Sequence, residues 1–98
     1  MSFDIAIADS AFDDLAWLKK FERVTILEAI DTQLSHEPAK ETRHRKPLRE
    51  TAFSRWELRV GKYRVFYNVD EDRKTVDVTA VGFKEHNTLF IRGKEVKI

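Results

Sequence analysis

The side chains that could do chemistry are cations crowded into the middle of the chain. Between Arg43 and Arg64 stand eight basic residues, Arg43, Arg45, Lys46, Arg49, Arg55, Arg59, Lys62 and Arg64, against two acidic ones, Glu50 and Glu57. His44 lies among them, and Lys84 and His86 follow later. Arginine outnumbers lysine six to two in that stretch, which favours planar, bidentate recognition of phosphate or carboxylate. Such a surface binds RNA or DNA phosphates and, with aromatics nearby, stacks bases. It can also cleave RNA without a metal. The 2′-OH attacks the adjacent phosphate when one group takes its proton, another protonates the leaving oxygen, and cations hold the extra negative charge. Arginine and lysine supply the last role. Histidine is the side chain that ordinarily titrates near neutrality, although a lone histidine is more often structural than catalytic.

Other chemistries find less support. His36, His44 and His86 lack a ligand spacing such as H-x-x-x-H and there is no cysteine, so no metal site, disulfide or cofactor is expected. No nucleophile motif announces a Ser-His-Asp arrangement, and no glycine-rich phosphate loop is present. The 98 residues suit a single domain spanning 1–98. There is no apolar run near the ~20 residues of a membrane span. The start M-S-F-D-I-A-I-A-D lacks a basic signal-peptide region, so a soluble, cytoplasmic protein with no membrane partner is expected. Charge is uneven. Residues 1–42 carry four basic and nine acidic residues, net −5, and residues 43–64 carry net +6, a localised anion site beside an acidic half.

The elements that must position the cations are strands. In R-W-E-L-R-V, Trp56, Leu58 and Val60 alternate with Arg55, Glu57 and Arg59; in the next run Tyr63, Val65, Tyr67 and Val69 alternate with Arg64, Phe66 and Asn68. Period two in β-branched and aromatic residues marks half-buried antiparallel strands. Gly61-Lys62 suits a type II′ hairpin turn, which sets Val60 against Tyr63, Leu58 against Val65 and Trp56 against Tyr67. The other face then pairs Arg59 with Arg64, Glu57 with Phe66 and Arg55 with Asn68. A tip at Glu71 to Lys74 carries the pattern into a third strand, so that Val78 joins Trp56 and Tyr67, and Ala80 joins Leu58 and Val65. One face is a core and the other carries arginines. Arg59 opposite Arg64 is a like-charge pair that destabilises by some tenths of a kcal/mol. Either Glu57 and solvent relieve it, or the side chains splay apart, or the site awaits a polyanion.

Upstream, Ser2 to Ala8 alternates weakly and reads as a first strand. Asp9 or Ser10 can cap a helix whose apolar side is Phe12, Leu15, Ala16 and Leu18. A second helix runs from about Glu22 to Ser35, with Val24, Leu27, Ile30 and Leu34 at helical spacing and Ile26 and Ala29 widening the stripe; Pro38 ends it. The two helices form a hairpin packed on the sheet. Glu37 to Arg49 is a basic connection whose K-P-L-R either begins a strand or lies along the sheet edge. Leu89, Phe90 and Ile91 form a short helix or an extended tail, broken by Gly93.

This order, with W-E-L-R-V-G-K-Y-R-V-F-Y, then V-D-V-T-A-V-G-F-K, then L-F-I-R-G, resembles the RelE/ParE superfamily of toxins from type II toxin–antitoxin systems. The R-x-G-x-Y-R-x-x-Y core and the following V-G-x-K carry most of the likeness, and the basic K-P-L-R fits the RelE side. The resemblance implies an α+β fold with an N-terminal strand and helical hairpin on a mostly antiparallel sheet. It also implies a ribosome-dependent mRNA endoribonuclease that inhibits translation. The partners would be the ribosome, mRNA and a cognate antitoxin in a hetero-oligomer, the antitoxin covering part of the basic surface or its rim. By position, Arg64, Lys84 and Arg55 match family basic residues. Glu57 falls where some members carry a second lysine. Phe90 falls where some carry a tyrosine that helps activate the 2′-OH, leaving His86, His44 or Glu57 as substitutes. Arg43, His44, Arg45, Lys46, Arg49, Arg59 and Lys62 would line the RNA path. A ParE-like inhibitor of DNA gyrase and a RelE-fold binding protein of little activity are the alternatives.

Overall fold

The computed structural model describes residues 2–48 and 54–97. The elements run β1 (Asp4–Ile7), α1 (Asp9–Trp17), α2 (Lys20–Leu34), β2 (Arg45–Pro47), β3 (Trp56–Val60), β4 (Tyr63–Asp70), β5 (Thr75–Glu85), β6 (Thr88–Ile91) and β7 (Lys94–Val96). Strands β2 to β7 lie side by side in chain order and pair antiparallel, while β1 pairs parallel with β5. The two helices cover one face. The C-terminal apolar segment is thus a strand of a small β-hairpin, and Lys46-Pro47 belongs to an edge strand.

The hairpin register is the one the alternation requires: Trp56 faces Tyr67, Leu58 faces Val65, Val60 faces Tyr63, and Arg59 faces Arg64. Gly61, at φ +57, takes the left-handed backbone of the first turn position. Leu58, Val65, Tyr67, Val76, Val78 and Val81 meet Ala11, Leu15, Leu18, Ile26, Ile30 and Leu34 from the helices in the main core. Tyr67, fully buried, satisfies its hydroxyl by donating to the Pro38 carbonyl at 2.8 Å. Removed from water, that phenol is pushed well above its ordinary pKa, against the pull of Arg45.

Four expectations are corrected. Strand β5 keeps step with β4 from Thr75 to Val78, then slips: Tyr67 faces Val78, but Phe66 faces Ala80. Thr79 is the extra residue of a β-bulge, which turns every later side chain of β5 to the opposite face. Ala80 therefore leaves Leu58 and Val65, and Val81 takes its place. The open face is also more than a charged surface, because Phe66, Ala80 and Leu89 form a second small core with Leu48, Ile91 and Val96 against it. The buried stripe of α2 is Ile26, Ile30 and Leu34; Val24 and Leu27 lie outside it, as do Phe12, Trp17 and Phe21, all solvent-exposed. Finally, no side chain caps α1. Ser10 donates instead to the Thr79 carbonyl at 3.2 Å, and buried Asp14 accepts the Val81 N–H at 3.0 Å and forms an ion pair with Arg92, whose Nε lies 2.9 Å from Oδ1.

Candidate functional site

The open face gathers charge at the end where the β3–β4 and β5–β6 turns meet. The Arg59 N–H donates to the His44 carbonyl at 2.7 Å, extending the β2–β3 ladder so that His44 stands across from Arg59. Arg59 faces Arg64, and Arg64 faces Gly82. One step nearer the turns, the Lys84 N–H donates to the Lys62 carbonyl at 2.8 Å. Because of the bulge, Lys84 alternates onto the face of Arg64, where without it Lys84 would point toward the helices.

Glu57 explains how two arginines stand opposite each other. Only 2% exposed, its carboxylate meets Arg59 Nε at 3.0 Å and Arg64 Nε at 3.9 Å. The local reading of the like-charge pair is therefore correct in part: a buried counter-ion bridges it. Arg64 is drawn in further by Nη1, which donates to the carbonyls of Gly61 and Tyr63 at 2.8 Å each. Burial lowers the Arg64 pKa, Glu57 opposes that and Arg59 reinforces it. Arg64 Nε itself makes no hydrogen bond. The result is a largely desolvated guanidinium beside a half-exposed one. Backbone carbonyls aim the first and a carboxylate tethers the second.

The remaining cations are distributed unevenly. Lys84 is half-buried and lines a groove of about 340 Å³ with Asn87, Thr88, Leu89, Glu95, Val96 and Lys97. His86 and Asn87 form the β5–β6 turn with φ +51 and +66, which holds His86 exposed beside that groove. Lys62 leans away from Arg64: its ammonium lies over the rings of Tyr63 and Phe83 on the helix side and 3.9 Å from Glu85. Arg43 is exposed in the bend before β2, and Lys46 pairs with Glu41 at 3.5 Å. Arg55 is exposed four residues from Arg59, about 13 Å along the strand. Arg49 lies outside the described residues.

Arg45 is a correction. It pairs with Leu58, so its side chain turns to the helix face, where only 8% of the residue is exposed. Its guanidinium donates to the carbonyls of Lys40 and Gln33 at 3.0 and 2.8 Å. It fastens the end of α2 to β2 and is not available to an outside phosphate. Phe90 also lies on the helix face, stacked on Phe83 at 5.5 Å, so its position is not open to the cations. The chain's two tyrosines share that side of the sheet. Tyr63 donates to Glu22, and burial, then Glu22, push its pKa up to about 12. Sequence reading missed Asp14, Ser10 and Glu22, because polar residues in a helix give no sign of the strand they will meet. Among the described residues no group of His, Cys, Asp and Glu could hold a metal ion, and no helix is long and apolar enough to cross a membrane.

This architecture has known relatives. The toxin–antitoxin complex RelBE2 of Mycobacterium tuberculosis contains a chain 27% identical, with TM-score 0.74, covering 86% of this chain and all of its own length. The RelE–RelB complex of Pyrococcus horikoshii OT3 gives 23% identity and TM-score 0.69, over 88% of this chain and 99% of that one. A free mutant of Escherichia coli RelE gives 22% and 0.64, over 87% and 86%. These likenesses agree on two helices packed on a mostly antiparallel sheet. No curated protein matches the sequence. Residues 5–87 match the family of ParE toxins of type II toxin–antitoxin systems, parDE. The chain therefore belongs to the ParE toxin family, within the RelE/ParE superfamily of type II toxins.

Proposed function

We propose that this toxin is a metal-independent, ribosome-dependent mRNA endoribonuclease. The observation that carries the reading is the convergence of Arg59, Arg64 and Lys84 on one open face, two of them already partly desolvated. Cations held in a site that excludes water stabilise a charged transition state far better than mobile surface lysines do. In the reaction, the 2′-oxygen bonds to phosphorus as the P–O5′ bond breaks. The 2′-OH proton passes to a base and the 5′-oxygen takes one from an acid, leaving a 2′,3′-cyclic phosphate and a 5′-hydroxyl. Arg64 and Lys84 would hold the pentacoordinate phosphorus. His44, across from Arg59, and His86, beside Lys84, flank that position and are the candidates for proton transfer. Arg59, Arg43 and Lys46 would contact the backbone on either side, whereas Lys62, drawn over Tyr63 and Phe83 to the helix side, would not. Arg55, about 13 Å away, suits a flanking nucleotide better than the reacting phosphate.

A specific observation favours a second reading, inhibition of DNA gyrase by binding. Neither tyrosine reaches the open face, and the family matched is that of ParE. The partner expected under both readings is an antitoxin, as in the RelBE complexes. The exposed apolar residues Phe12, Trp17, Phe21, Val24 and Leu27 on the helical hairpin offer a seat for its apolar segment. Co-expression with the neighbouring open reading frame should yield a stable complex.

Primer extension on a defined message, with and without translating ribosomes, tests the nuclease. Cuts on ribosome-engaged message that fall about a hundredfold in Arg64→Ala, the usual loss of one transition-state donor, support it. An intact message together with blocked supercoiling by purified gyrase would replace it with the second reading.

A further inference from the structure

We infer that Asp14, on α1, is a positioning residue that sets the face on which Lys84 presents its ammonium. The inference rests on the reading that Lys84 meets RNA phosphate. One edge of β5 pairs with β4 throughout. Its other edge pairs with β1 over Thr75 to Val78 and with β6 over Phe83 to Glu85. Between them, at residues 79–82, that edge has no strand among the described residues. Helix α1 supplies the missing partners: Ser10 Oγ donates to the Thr79 carbonyl at 3.2 Å, and Asp14 Oδ2 accepts the Val81 N–H at 3.0 Å. Ser10 and Asp14 are one helical turn apart, about 6 Å, close to the span of about 6.6 Å between Thr79 and Val81 along a strand.

The same four residues hold the bulge. Thr79 is the extra residue, and its hydroxyl donates to the Phe66 carbonyl at 3.2 Å. Asp14, 3% exposed, gives the Val81 N–H an acceptor where water has little access. Arg92 Nε, 2.9 Å from Oδ1, orients the carboxylate from the β6–β7 turn. An unbulged β5 would return Lys84 to the helix face, so the acceptor at Val81 and the place of Lys84 are one choice.

The test measures binding of a 2′-O-methyl oligoribonucleotide across a KCl series, with amide exchange at Val81 followed by NMR. Lys84→Ala should weaken binding and reduce the salt slope by about one. Asp14→Ala should do the same, the double variant should lose little more, and Asp14→Asn, whose amide oxygen still accepts the Val81 N–H, should restore both binding and slope. Full additivity of Asp14→Ala and Lys84→Ala overturns the proposal. If Lys84→Ala leaves binding unchanged, the RNA reading of Lys84 fails instead. Positioning is then judged by Ala80–Phe66 side-chain cross-peaks, which exist only in the bulged register and must vanish in Asp14→Ala; their persistence refutes it. Should Asp14→Ala not fold, Arg92→Ala replaces it. There, faster Val81 exchange with an undiminished Lys84 contribution overturns the link.

Discussion

Replacing Glu57 by glutamine should move stability and anion affinity in opposite directions. The carboxylate is 2% exposed and sits 3.0 Å from Arg59 Nε and 3.9 Å from Arg64 Nε. Breaking a fully buried ion pair from one side costs about 3–5 kcal/mol. Here the Arg59 side chain is 45% exposed, so water screens much of what is lost, and about 2 kcal/mol is expected. A phosphate seated on the two guanidiniums would lie about 5 Å from the carboxylate, a repulsion of about 1 kcal/mol in water and about 3 at a dielectric near 20. Glu57→Gln should therefore bind a short RNA at least about fivefold more tightly at low salt. Urea unfolding followed by tryptophan fluorescence gives the first quantity and a titration of labelled RNA the second. Phosphate should raise the urea midpoint of the variant more than that of the wild type. Weaker RNA binding by a folded Glu57→Gln would refute the reading of Glu57 as a counter-ion that anions must compete with.

Arg45→Ala should cost about 2 kcal/mol, since it strands the Lys40 and Gln33 carbonyls, which are only partly shielded from water, and refolded protein should keep its RNA affinity; urea midpoints and the same titration check both. Gly82→Ala should destabilise by about 3 kcal/mol or prevent folding, because a Cβ there would lie 2.4 Å from the Phe90 carbonyl oxygen; thermal unfolding reads it. Burial raises the Asp14 carboxyl above its ordinary 3.8, with Asp13 adding and Val81 and Arg92 opposing. The folded state thus prefers it protonated, and its contribution to stability falls as pH rises from 3.8 through the raised value. Glu22 runs the other way: held below 4.5 by the Tyr63 hydroxyl and then the Lys19 N–H, it contributes above 4.5 and loses that as pH falls through its lowered value. Relative to Asp14→Asn, wild type should lose stability as pH rises above 3.8; parallel urea midpoints across that range would contradict this.

The central hairpin was legible because a two-residue turn and strict alternation leave one register in which apolar residues meet. The bulge was not. T-V-D-V-T-A-V-G-F-K alternates acceptably either way, and what decides it is a serine and an aspartate some 67 to 69 positions away. Lys84 was singled out by its type and position, but the face it takes depends on the extra residue Thr79, which alternation does not reveal. The helix faces failed differently: α2 has apolar residues on both sides, and only the sheet shows that Ile26, Ile30 and Leu34 are covered. Arg45 could not be told from His44 and Lys46 without the register of β2, and one step along a strand separates a fold residue from a surface one.

The parallel pairing of β1 with β5 has a consequence in time. Strands β2 to β5 are successive neighbours whose contacts close over short loops. The first strand synthesised, with the helix behind it, finds its partner only when residues near 79 are made, 69 positions after Ser10. Non-local pairing of this kind is slow, and a waiting segment with exposed apolar surface is prone to aggregation. During synthesis, then, the N-terminal helices stand longest without a sheet. The nascent toxin presents their apolar faces, the future core included, before its cationic face is complete.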